Sequence, residues 1–144
     1  MSRACRPESL MQLEMILEEC SSSAGIDGGL HLIAEWHECR APRPILDHLH
    51  NVKRICVAAV SAAGLTVVGD HFHVLQDGGI TGMVLLAESY LAIRTWPASG
   101  GVALDVLVCS HGGGNREKAR SVLEVLRAIY CPDRENLMQV SRSV

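Results

Sequence analysis

An apolar stretch in the middle of the chain, LAESYLAIRTWPASGG (residues 86–101), carries Glu88-Ser89 at its start and Arg94 further on. Those polar groups fit a half-buried strand with one wet face, and they also fit a reactive site. Other candidates lie elsewhere. His71-Phe72-His73 places two imidazoles on one face of a strand. No carboxylate or third ligand stands at a spacing that completes a site, so exposed histidines are the expectation and no metal is expected. His48 and His50 lie two apart on a helix, where side chains diverge. HGGGN (111–115) lacks the Lys-Ser/Thr of a phosphate loop and reads as a flexible strand-to-helix connection. Cys109, alone at a strand end, reads by default as a small hydrophobe.

The elements that must position these groups follow from periodicity. Residues 8–20 predict a short helix, with Leu10, Leu13 and Leu17 on one stripe and Pro7 at its start. SSSAGIDGG (21–29) follows as a linker, so residues 1–28 form a helical extension ahead of a domain at 29–144. LHLIAEWHE (30–38) reads as a strand. Residues 45–63 predict one helix, with Ile45, Leu49, Val52, Cys56, Ala59 and Ala63 on one face and Gly64 as its C′ residue. Four strand-like runs come next, at 65–75, 79–88, 89–96 and 102–109. A second amphipathic helix at 116–130 is stopped by Pro132, and a last strand spans 136–143. Consecutive strands with two amphipathic helices predict an α+β two-layer sandwich, an antiparallel-rich sheet with helices on one face.

The bulk numbers suit one soluble domain. The chain has 144 residues, 48% hydrophobic and 20% charged, with a formal net charge of -3 and no basic stripe, which argues against nucleic acid as a partner. No run nears the roughly 18 apolar residues of a membrane span. Six cysteines without a CxxC pair, and no signal peptide, predict reduced thiols in the cytoplasm. Two Trp, two Tyr and one Phe leave few places for a ligand to stack.

GLHLIAEWHEC (29–39), GGITGMVLLAESYLAIRTWP (78–97) and ALDVLVC (103–109) together resemble the prokaryotic S-adenosylmethionine decarboxylase family, over about residues 29–131. The resemblance implies an α+β sandwich that pairs into homodimers or larger homo-oligomers, and a self-cleaving proenzyme in polyamine synthesis. The bond cleaved would be Glu88-Ser89. The Ser89 hydroxyl attacks the preceding carbonyl, the amide becomes an ester, elimination leaves dehydroalanine, and hydrolysis yields a pyruvoyl group. That ketone, made from the chain, condenses with a substrate amine and takes up the electrons freed as carbon dioxide leaves, as pyridoxal phosphate would.

Carried over position by position, Ser89 is the pyruvoyl precursor and Cys109 the proton donor after decarboxylation. Thr81 stands where the family has a serine that assists processing, and it keeps a hydroxyl. Arg94 replaces a histidine linked to elimination, and an arginine cannot act as a base. Leu75 replaces an aromatic residue that stacks on adenine, and Ala98 the glutamate of TWPE that holds the ribose. Substrate contacts thus fall to Leu75, Arg94, Trp96 and Ala98. A lost stack costs on the order of 1–3 kcal/mol, so the adenosine pocket has lost its readers. The resemblance, which includes members that have drifted to smaller substrates, then implies a small basic amino acid (L-ornithine or L-arginine) or S-adenosylmethionine as the substrate. Arg94 would meet the carboxylate of a small basic substrate, and Asp70, Asp77 or Asp105 its distal cation. His73 could replace the displaced base. The rival reading is an uncleaved, inactive paralogue that serves as a partner subunit. Strict alternation puts Ser89 with Leu91, Ile93 and Thr95, opposite Tyr90, Ala92, Arg94 and Trp96, so Arg94 reaches Ser89 only where the strand bends.

Overall fold

The computed structural model describes residues 28–110 and 113–143; the helix expected at 8–20 and most of the linker after it lie outside them. Six strands form one sheet: β1 (Gly29–His37), β2 (Val67–Val74), β3 (Ile80–Leu86), β4 (Ser89–Trp96), β5 (Gly101–Val108) and β6 (Arg134–Arg142). They lie in the order β2-β3-β4-β5-β1-β6, and every neighbouring pair is antiparallel. Among the described residues three helices, α1 (Pro44–Asp47), α2 (Leu49–Ala62) and α3 (Asn115–Tyr130), cover one face, α3 over β1 and β5, α2 over β2 and β3, α1 against β4. This is the expected two-layer α+β sandwich. No helix among the described residues is long and apolar enough to cross a membrane.

Alternation along each central strand builds the core. Leu30, Leu32, Ala34 and Trp36 of β1, Leu91, Ile93 and Thr95 of β4, and Val102, Leu104, Val106 and Val108 of β5 all point beneath the helices and are buried. From α2 and α3 they meet Val52, Cys56, Ala59, Val60, Ala119, Val122, Leu123, Leu126 and Tyr130. Burial in that apolar layer pushes the Cys56 thiol up to about 12, so it packs as an inert hydrophobe.

The helix expected at 45–63 is broken. His48 is extended (φ -109°, ψ 111°) and separates α1 from α2. The cause is tertiary. The Leu46 carbonyl accepts the Thr95 hydroxyl at 2.6 Å, the Ile45 carbonyl accepts the Tyr130 hydroxyl at 2.8 Å, and the Pro44 carbonyl accepts Asn51 Nδ2 at 3.3 Å. In an unbroken helix those three carbonyls would take the amides four residues on. Thr95 also accepts the Ile80 amide at 2.9 Å, so one buried hydroxyl ties α1 to both β3 and β4.

Among the described residues the opposite face carries no helix. It presents His31 and Glu35 of β1, His71 and His73 of β2, Thr81, Met83 and Leu85 of β3, Tyr90, Ala92, Arg94 and Trp96 of β4, and Ala103 and Asp105 of β5. Met83, Leu85 and Trp96 are exposed there.

Candidate active site

The Glu88-Ser89 bond lies in the tight turn between β3 and β4, where Leu86 pairs with Ser89 and Ala87-Glu88 form the tip. Three contacts hold it. The Ala87 amide donates to the Thr66 carbonyl at 2.9 Å, and the Thr66 amide donates to both Glu88 carboxylate oxygens at 2.9 and 3.2 Å. The third is chemically pointed. The Cys109 amide donates at 2.8 Å to the Glu88 main-chain carbonyl, the carbonyl a Ser89 hydroxyl would attack. It continues the β4–β5 ladder one step beyond the Ser89–Val108 pair. A donor already aimed at that oxygen polarises it and would stabilise the negative charge that attack places there.

Ser89 itself is strained, with φ at 151°. A side chain disfavours that region, at a cost of about 1–3 kcal/mol, and such positions cluster where strain assists chemistry. A test follows in the uncleaved state. At a relaxed strand position glycine is about 0.5–1 kcal/mol worse than alanine. Here the order should invert: Ser89→Gly should melt above Ser89→Ala by a few degrees, at roughly 2–4 °C per kcal/mol for a chain of this size. Calorimetry of the two variants decides it, and an equal or lower midpoint for Ser89→Gly would show an unstrained turn.

Arg94 is elsewhere. It pairs with Thr81 five positions along the β3–β4 ladder from the Leu86–Ser89 pair, roughly 17 Å at about 3.4 Å per residue. The strand does not bend enough to bring it to its own Ser89, so Arg94 does not act on that bond within one chain. Its guanidinium donates to Asp77 Oδ2 at 2.7 Å and to the Thr95 carbonyl at 2.9 Å, and lies 4.8 Å from the Trp96 ring centre. Gly79 makes room for the clamp: a Cβ there would sit 2.3 Å from the Arg94 guanidinium. Arg94 thus pins the β2–β3 turn to β4.

The hydrogen bond from Arg94, then that from the Gly79 amide, holds the Asp77 carboxyl below its ordinary value of 3.8. A depressed folded pKa gives stability that is present above the ordinary value and lost as pH falls through the folded one. On a Ser89→Ala background, the stability advantage over Asp77→Asn should therefore shrink below about pH 4, as urea unfolding at pH 3 and 7 would measure. Asp77 is half exposed, so the effect is small.

Near that clamp the open face forms a cavity of about 490 Å³ lined by His71, His73, Thr81, Met83, Arg94 and Asp105 among others. His73, Thr81, Arg94 and Ala103 form one row across four strands. Of the three carboxylates expected to meet a distal cation, two are committed: Asp70 to Lys53 at 2.9 Å and Asp77 to Arg94. Asp105 alone lines the cavity, its Oδ2 lying 3.7 Å from His31 Nε2, which is buried without a hydrogen bond. Leu75 sits in the β2–β3 turn, its amide donating to the Gly79 carbonyl at 2.8 Å, and Ala98 in the β4–β5 turn. No cluster of three or more His, Cys, Asp or Glu suited to a metal occurs among the described residues.

The sequence does not single out two residues that contact the chain around the Glu88-Ser89 bond. Thr66 acts through its backbone, which leaves no sequence signal. Asn115, the last residue of HGGGN, is not part of a loose connection: it opens α3, is buried, and its Nδ2 donates to the Cys109 carbonyl at 2.9 Å.

The chain is similar to known proteins over most of its length. The profile of the family described as S-adenosylmethionine decarboxylase matches residues 30–143. A protein named S-adenosylmethionine decarboxylase proenzyme from Persephonella marina is 35% identical over 106 residues, covering 74% of this chain and 75% of that one. One of the same name from Methanococcus vannielii is 31% identical over 116 residues, covering 81% and 90%. The crystal structure of the adenosylmethionine decarboxylase from Aquifex aeolicus superposes with a TM-score of 0.73 at 29% identity, covering 82% of this chain and 92% of that one. The chain belongs to the S-adenosylmethionine decarboxylase family, pyruvoyl-dependent decarboxylases whose cofactor is made by self-cleavage at a serine of their own chain.

Proposed function

We propose that this chain cleaves itself between Glu88 and Ser89 and then decarboxylates S-adenosylmethionine. The observation that carries the first half is a Glu88 carbonyl already accepting the Cys109 amide, next to a strained Ser89. Ser89 Oγ bonds to the Glu88 carbonyl carbon as the amide C–N bond breaks, giving an ester and a free amine at residue 89. Removal of the Ser89 α-proton expels the Glu88 carboxylate, and water then replaces the residue-89 nitrogen, which leaves as ammonia. The residues present fit the group so made. A ketone at position 89 supplies an electrophile for the substrate amine and a sink for the electrons released with carbon dioxide. Cys109, which follows the ladder partner of Ser89, would return the proton.

The named relatives favour S-adenosylmethionine, and of the three carboxylates expected to meet a basic substrate Asp70 and Asp77 are paired and only Asp105 lines the cavity. Leu75 and Ala98 favour the second reading, a small basic amino acid, because neither can stack on adenine or hold a ribose. Carbon dioxide release from labelled substrates decides between them. S-adenosylmethionine should turn over with a Michaelis constant raised at least tenfold over a chain carrying Leu75→Phe and Ala98→Glu. Faster release from ornithine or arginine would favour the second reading.

A homodimer belongs to the same proposal. Thr81 and Arg94 lie too far from their own Ser89 to assist it, and the face that carries them exposes Met83, Leu85 and Trp96. A second copy on that face would supply them in trans. Co-expression of Ser89→Ala with Thr81→Val should then restore cleavage of the Thr81→Val chain; no restoration would refute sharing.

A further inference from the structure

We propose that Asn115 is a positioning residue for self-cleavage, acting through Cys109; the inference rests on Glu88-Ser89 being the bond cleaved. Cys109 is held on both sides. Its amide donates to the Glu88 carbonyl at 2.8 Å, and its own carbonyl accepts Asn115 Nδ2 at 2.9 Å. Cys109 is the first residue beyond β5, so past Val108 no regular strand fixes its backbone. Asn115, 4% exposed at the first turn of α3, supplies that constraint from a helix seated on β1 and β5. The result is a short relay: α3 holds Asn115, Asn115 holds the peptide after Cys109, and Cys109 presents its amide to the carbonyl that must become tetrahedral. A preorganised donor does not have to be reoriented as charge develops, which is where such contacts gain their catalytic value. Asn115 touches none of the reacting atoms, so its effect is on the geometry of Cys109.

The test compares wild type, Asn115→Asp and Asn115→Ser as full-length chains. Asn115→Asp keeps the shape but loses the Nδ2 donor, while adding a negative charge that favours a helix N-terminus. Slower cleavage therefore cannot be blamed on a weakened helix. Cleavage should slow at least tenfold at pH 7.5, with the melting midpoint on a Ser89→Ala background within a few degrees of the parent. It should recover relative to wild type as the pH falls and the introduced carboxyl gains an O–H donor, a pH profile a purely structural defect would not produce. Asn115→Ser, which retains a donor on a shorter arm, should fall between the two. Hydroxylamine, which cleaves an ester but not an amide, should release no extra fragment from Asn115→Asp, because the block precedes the ester. Wild-type cleavage rates in Asn115→Asp would overturn the proposal. So would a block in Asn115→Asp that lacks pH recovery, or an accumulating hydroxylamine-sensitive ester. Should Asn115→Asp fail to fold, wild-type rates in Asn115→Ser and Asn115→Ala together would overturn it, and graded slowing would support it. An uncleaved wild type would instead sink the processing reading on which the inference stands.

Discussion

On a denaturing gel, the purified wild-type chain should run as two fragments, residues 1–88 and 89–144, and Ser89→Ala should run as one. The effect is all or none, because alanine has no hydroxyl to attack the Glu88 carbonyl and no other residue can substitute for it. The Cys109 amide would still hold that carbonyl in the variant, so polarisation without the nucleophile should give no cleavage. Ser89→Thr and Ser89→Cys keep a nucleophile, and slow ester or thioester formation in them would place the block at later steps.

Cys109→Ala should separate making the cofactor from using it. The contact with the scissile carbonyl comes from the Cys109 backbone, which alanine retains, so processing should continue within about tenfold of wild type. Carbon dioxide release should fall by about 10²–10⁴, the usual value of a positioned proton donor. The Asn115 bond to the residue-109 carbonyl is likewise kept, which makes a loss of processing hard to explain by disorder. Equal loss of both activities would mean the thiol itself takes part in cleavage. Undiminished turnover would remove Cys109 from the reaction.

Strand alternation makes most of the fold legible in the sequence. Leu30, Leu32, Ala34 and Trp36, and Val102 through Val108 at every second position, could face only a core, and they do. Gly64, expected to end a helix, sits at φ 87°. What the sequence could not show was set by contacts distant along the chain. The break at His48 comes from carbonyls taken by Thr95 and Tyr130, and no local propensity reports that. Arg94 looked like a substitute for a processing histidine or a carboxylate binder because its partner, Asp77, lies across a hairpin. Its replacement of a histidine was the main support for an inactive paralogue, and the clamp gives the arginine a structural use within its own chain, distant from its own Ser89. Asn115 was hidden by glycines that made its segment read as a slack connection.

The intact mass of the C-terminal fragment shows whether Ser89 becomes a ketone. A fragment spanning residues 89–144 should be lighter than its sequence by one ammonia, blocked to N-terminal sequencing and shifted by a carbonyl reagent. A full-length 144-residue mass after prolonged incubation, or a fragment beginning with an unmodified serine, would contradict it.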